Sequence, residues 1–106
     1  MIVYCASAYR GKDEWEVWMN IMSSMVVARE VWKRGHVAIC PHGNSMFFGL
    51  PFDTMIAGDL KLLAKCDCLL LSGAWKDSEG CGKEYRWAVE HSMPIYESVF
   101  DLPEGE

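Results

Sequence analysis

"CDCLLLSGAW", residues 66–75, is apolar almost without a break until Ser72 and Gly73. A strand with one wet face alternates polar and apolar residues. This run does not, so it predicts a strand covered on both faces, at the centre of a parallel sheet. Such a strand needs neighbours joined to it through helices, and the flanking sequence supplies them. Upstream, "MIVYCAS" reads as a first buried strand that leads into a turn at Gly11. Apolar residues three and four apart at Trp18, Ile21, Met25, Ala28 and Trp32 predict a helix that carries them as one stripe, stopped by Gly35. "HVAIC" is the second strand, ended by Pro41 and Gly43 in "PHGN". Beyond the loop "SMFFGLPF", Asp53 is the expected N-cap of a helix through "TMIAGDLKLLAK", with Leu60 and Leu63 turned inward. After the central strand, "SEGCGKE" at 78–84 opens a helix capped near Ser78, and "PIYESVF" supplies a last strand before the acidic tail. The alternation predicts an α/β fold: one Rossmann-like (flavodoxin-like) three-layer sandwich over residues 1–106, with four or five mainly parallel strands.

The length of 106 residues and 51% hydrophobic content fit one core and leave no room for a second domain. A net charge of -5, with Lys and Arg scattered, excludes the basic stripe that a nucleic-acid polymer requires. No run approaches the roughly 20 apolar residues that span a bilayer, and the amino end lacks a leader pattern, so a cytoplasmic protein is expected. The cysteines, Cys5, Cys40, Cys66, Cys68 and Cys81, are odd in number and argue against a disulfide framework. "CDC" at 66–68 and Cys40 with His42 lack the two spaced pairs of a structural zinc site, so neither metal nor cofactor is expected. Seven methionines and five tryptophans suit either a core or a subunit contact.

In open α/β sheets, ligands bind beyond the carboxyl ends of the strands. That rule selects Ser7, Tyr9 and Arg10 after the first strand, His42 and Asn44 after the second, and Ser78 to Glu84 after the third. Gly80 and Gly82 allow a ligand to approach the backbone, and the helix start offers free N–H groups. From the residues alone, Glu84 is either a helix-start acid or a carboxylate held ionised by the helix dipole for use as a nucleophile. Asp59 is likewise either a polar helix residue or a site acid, and Asp67 either a strand-start turn residue or a site acid, whereas Glu79 reads as a solvated turn acid. The turn matches neither GxGxxG nor GxxxxGK[ST], which disfavours the usual dinucleotide and triphosphate sites.

"DLKLLAKCDCLLLSGAWKDSEGCGKEYRWA" resembles the catalytic half of the nucleoside 2-deoxyribosyltransferase superfamily, which includes the 2′-deoxynucleoside 5′-monophosphate N-hydrolases. Asp59, Asp67, Ser78, Gly80, Gly82 and Glu84 occupy the family's motif positions. "VYCASAYRG" is similar to its first strand, with Tyr4, Arg10 and Gly11 in place. The resemblance implies a small nucleotide or nucleoside as substrate and cleavage of its N-glycosidic bond. Glu84 would be the nucleophile, Asp59 would meet the leaving base, and Tyr4 would orient Glu84. Ser7, Arg10, Gly11, Ser78, Gly80 and Gly82 are the expected sugar and phosphate contacts, Phe47, Phe48, His42 and Trp75 the expected pocket walls that select the base, and Asn44, at the second strand exit, a further substrate-binding candidate. Ser78, where the transferases carry an acid, and Arg10 point to a nucleoside 5′-monophosphate hydrolase. Ala8, where a phosphate-binding serine stands in those hydrolases, departs from that pattern. Base exchange by a transferase and a nucleotide-binding module without turnover are the alternatives. The short chain leads us to expect a homodimer.

Overall fold

The computed structural model describes residues 1–45 and 48–105. Phe47, an expected pocket wall, lies outside them. The described residues form a four-stranded sheet of β1 (Ile2–Ser7), β2 (Val37–Ile39), β3 (Cys68–Ser72) and β4 (Ile95–Tyr96). The order is β2-β1-β3-β4 and all three pairings are parallel, with Tyr4 opposite Ile39 on one side and Leu69 on the other. β3 is central and Cys68 to Leu71 are buried, as its unbroken apolar run requires. The outer strands are short: "HVAIC" pairs only through Val37–Ile39, and "PIYESVF" only through Ile95 and Tyr96 before a single 3₁₀ turn at Val99–Asp101.

Alternation along β1 and β3 divides the core. Tyr4, Ala6, Leu69 and Leu71 pack with Leu63, Cys81 and Ala88 of the helices α3 (Phe52–Leu63) and α4 (Glu79–Glu90) on one face. Val3, Cys5, Cys68 and Leu70 meet Val31 of α1 (Glu14–Lys33) on the other. Asp13 caps α1, accepting from Glu16 N at 2.8 Å. The helix stops at Gly35, whose φ of +87° is the left-handed conformation a helix C-terminus uses.

Three expectations about local structure are corrected, and one of the two readings of Asp67 is selected. The inner stripe of α1 is Val17, Ile21, Ser24, Ala28 and Val31, while Trp18, Met25 and Trp32 face outward. A helix lying close against a sheet takes small and branched side chains on its inner side, and Ser24 masks that stripe by interrupting it with a polar residue. Its hydroxyl is satisfied within the helix by Ile21 O at 2.7 Å. "PHGN" winds into the short helix α2 (Pro41–Ser45) rather than a plain turn. Pro51, not Asp53, occupies the N-cap of α3, and Asp53 stands in its first turn. Asp67 lies at the entry of β3, away from the strand exits, where its Oδ2 accepts from Ile2 N at 2.6 Å. Its role is to pin β1 to β3, so Asp67→Ala is expected to cost about 1 kcal/mol in urea unfolding and leave ligand binding unchanged.

Among the described residues no helix is long and apolar enough to cross a membrane.

Candidate active site

The chain leaves β1 toward β2 on one side and later returns to β3 on the other, which makes the carboxyl ends of β1 and β3 a topological switch point. A cavity of about 670 Å³ opens there, lined by Ser7 to Arg10 after β1, Ser72 to Ala74 after β3, and residues of α1, α2, α3 and α4. That size suits a small organic ligand.

Two acids enter from the helices through ordinary amphipathic geometry. On α3 the sheet-facing stripe runs Ile56, Asp59, Leu63; on α4 it runs Cys81, Glu84, Ala88. Asp59 and Glu84 therefore occupy core-facing positions on neighbouring helices. Glu84 is only 4% exposed. Ser78 caps α4, its Oγ accepting from Cys81 N at 3.2 Å. Glu84 falls in the second turn, beyond the reach of the helix dipole, so the expected dipole effect does not set its charge. Burial does: it pushes the carboxyl from 4.5 up to about 7, against the pull of the neighbouring Tyr4 hydroxyl and with added repulsion from Asp59. Burial also raises Asp59.

Tyr4 lies beneath the cavity floor, fully buried, and its own pKa is driven up by burial and by Glu84, so it is a neutral hydroxyl. Tyr4 Oη, Ser7 Oγ and Glu84 Oε2 form no hydrogen bond of normal length and angle, three of four such buried side-chain atoms among the described residues, although the Tyr4 hydroxyl lies close enough to Glu84 to favour its ionised form. A buried polar group left unpaired costs roughly 1–3 kcal/mol, and two of these residues, Ser7 and Glu84, line the cavity, where a polar ligand could satisfy them. Cys81, beside Glu84, is pushed up to about 11, chiefly by burial, and stays a thiol.

The loop after β1 is held from two sides. Asn20 Nδ2 donates to the carbonyls of Tyr9 and Arg10, each at 3.2 Å. His42 Nε2 donates to Ser7 O at 2.6 Å, while its ring leans on Tyr9 at 4.6 Å between centroids. Burial lowers the His42 pKa, only partly offset by that carbonyl, so the ring is neutral. The Arg10 guanidinium sits 5.1 Å from the Phe52 ring centre, bridging the loop to α3.

Of the residues expected from sequence, Ser7, Arg10, His42, Asp59, Ser78, Gly80 and Glu84 line this cavity, with Tyr4 directly behind Glu84. Gly11, Asn44, Phe48, Trp75 and Gly82 do not. Gly11 instead faces Glu16, whose Cβ would lie 2.6 Å from any added methyl group. Trp75 turns away to pack against Tyr85 at 5.3 Å, beside the last strand. Gly82 has no crowding neighbour, and only Arg86 Nη1 comes within 4 Å of an added Cβ, at 3.9 Å. Sequence reading missed the wall from α1, Glu16, Asn20, Ser24 and Val27, and the Phe52 and Met55 wall from α3. The polar residues Asn20 and Ser24, set among the apolar residues of the middle of α1, were the available signal. Glu79, expected as a turn acid, is exposed and stands on the cavity rim with Asp77.

The fold is shared with a solved structure of the 2-deoxyribosyltransferase from the psychrotolerant bacterium Bacillus psychrosaccharolyticus, described as a biocatalyst for nucleoside synthesis. The TM-score is 0.69 at 18% identity, over 90% of this chain and 69% of that one, a likeness of fold that agrees with the superfamily resemblance. No curated protein matches the chain. A family model described as "Domain of unknown function (DUF4406)" matches residues 1–97, and the chain belongs to that family.

Proposed function

We propose that the protein is an N-glycosidase acting on a (deoxy)nucleoside 5′-monophosphate. A Glu84 carboxylate oxygen attacks C1′ while the C1′–N bond breaks and its electron pair leaves with the base. Asp59 protonates the departing base. Water, deprotonated by the same group, then hydrolyses the glycosyl ester, giving free base and (deoxy)ribose 5-phosphate. This is the double displacement of a retaining glycosidase. The observation that carries the reading is the buried Glu84 carboxyl on the cavity wall, with the Tyr4 hydroxyl beside it and Asp59 on the neighbouring helix. Asp59, raised by burial, suits the role of proton carrier. Arg10, the Ser7 hydroxyl and the amino end of α4 support a phosphate site; Ser78 Oγ accepts from Cys81 N but keeps its own proton to donate.

One observation favours a second reading, an uncharged nucleoside undergoing base exchange. Among the described residues, the cavity is lined by Glu16, Asp59, Asp77, Glu79 and Glu84 against the single cation Arg10. So many carboxylates oppose a phosphate dianion. Incubation with matched nucleosides and 5′-monophosphates, with and without a second free base, separates the two. Free base from monophosphates alone supports the first reading, and a new nucleoside supports the second. No base released from any substrate contradicts both.

Tyr4→Phe removes the hydroxyl that holds the Glu84 pKa down. The acid limb of the rate profile is expected to move to higher pH, with about a tenfold loss near pH 7 that is recovered toward pH 9. A loss uniform across pH would mean that Tyr4 acts only through packing.

A further inference from the structure

Tyr4 and Ile39 are the last paired residues of β1 and β2, and a cysteine follows each of them, Cys5 on β1 and Cys40 just past the end of β2. The two are therefore lateral neighbours. Adjacent strands lie about 4.8 Å apart, inside the roughly 4.4–6.8 Å between Cα atoms that a disulfide bridges. Both side chains belong to the α1 face of the sheet, where Cys5 is buried and Cys40, half-buried, packs against the same cluster. The Cys5 thiol is within hydrogen-bonding reach of the Cys40 sulfur, and its other contact is a long one of 3.9 Å to Val3 O. The remaining cysteines stand apart: Cys66 gives its thiol to Leu62 O at 3.4 Å, Cys68 is level with Val3 rather than Cys5, and Cys81 lies on the other face under α4. Among the described residues no group of three metal-ligating side chains is placed to hold an ion, so the two sulfurs in contact are a dithiol and not part of a metal site.

We propose that Cys5 and Cys40 form a reversible redox pair, in which a hydroperoxide oxidises Cys40 and Cys5 then closes a disulfide onto it. Exposure assigns the roles, because Cys40 is the member that solvent reaches. The bond from Cys5 also draws the Cys40 pKa down against its own partial burial, while the same bond and burial keep Cys5 a thiol. In the first step the Cys40 thiolate attacks a peroxide oxygen, the O–O bond breaks and hydroxide leaves, giving a sulfenic acid. In the second, the Cys5 sulfur attacks the Cys40 sulfur and the S–O bond breaks. The Cys5 proton leaves with that oxygen as water. With hydrogen peroxide, two thiols and one oxidant give one disulfide and two waters, and a small dithiol reverses the change. The bridge lies two residues before Ser7 on one strand and two before His42 on the other, the residues joined by the 2.6 Å bond from His42 Nε2 to Ser7 O. Oxidation thus fastens α2 to β1 beside that bond, at the edge of the cavity, whatever the cavity binds.

The test is to treat reduced protein with hydrogen peroxide, block the remaining thiols in acid and map the peptides by mass spectrometry. The peptide containing Cys5 should appear joined to the one containing Cys40, lighter by two hydrogens, and the link should vanish with dithiothreitol. Amide exchange in α2 should slow at least about tenfold in the oxidised protein. Cys40→Ser should cut peroxide-dependent loss of thiols at least about tenfold, and Cys5→Ala should halt at a Cys40 sulfenic acid that dimedone traps. The wild-type map decides the matter should either variant fail to fold. A link through Cys66, Cys68 or Cys81, no link at all, or undiminished oxidation of Cys40→Ser would overturn the pairing. Unchanged exchange in α2 would overturn its hold on the cavity edge.

Discussion

Replacing Glu84 with glutamine is expected to reduce base release by at least about 10³-fold while the protein stays folded and binds ligand. The amide keeps the shape and hydrogen-bonding reach of the carboxyl but cannot form an ester with C1′. The site offers no substitute at that position. Asp59 comes from a different helix, and Cys81, though adjacent, is held as a thiol near pKa 11. Asp59→Asn should fall short of this, at roughly 10²-fold, since it removes proton transfer and leaves the attacking group in place. Ligand binding by Glu84→Gln, followed through tryptophan fluorescence or calorimetry, separates loss of chemistry from loss of the site. A variant that no longer binds would point to a positional role for Glu84.

The same substitution should make the protein more stable, and only above acid pH. The Glu84 carboxyl titrates near 4.5 when unfolded and near 7 when folded, so between these values the native state holds more protons than the unfolded state. Stability therefore falls as pH rises through this window, and the loss is complete above pH 7. A shift of this size corresponds to about 3 kcal/mol, and Asp59 contributes in the same direction. Glu84→Gln carries no such penalty. At pH 8 its melting temperature should exceed that of the wild type by roughly 10 °C or more, with the gap closing by pH 4. An equal difference at both pH values would show that packing, not charge burial, separates the two proteins. A site that costs stability in its working charge state is the pattern expected where selection has favoured chemistry.

How far the sequence speaks for the fold differs from element to element. β3 was legible because so short and unbroken an apolar run, bounded by turn residues, suits a strand covered on both faces, and its covering helices followed from it. The two acids that line the cavity carry a simpler signal than dipole arguments: Glu84 at the spacing of Cys81 and Ala88, and Asp59 at that of Ile56 and Leu63, are charges placed on core stripes. α1 was misread because both of its sides are apolar, and bulk drew attention to the tryptophan side while the sheet accepted the smaller residues. Trp75 was misplaced because a 3₁₀ turn at Trp75–Asp77 rotates it away from the strand exit, and nothing in a tripeptide of ordinary residues signals that turn. The second wall of the cavity came from polar residues on α1, whose significance depends on the loop that Asn20 holds.

The central claim is that Glu84 forms a bond to the sugar. Wild-type protein turning over a (deoxy)nucleoside 5′-monophosphate, quenched in acid and mapped by peptide mass spectrometry, tests it most directly. The peptide containing Glu84 should gain the mass of the sugar phosphate, and Glu84→Gln should show neither adduct nor released base. An adduct on Asp59 or another carboxylate, or undiminished turnover by folded Glu84→Gln protein, would contradict it.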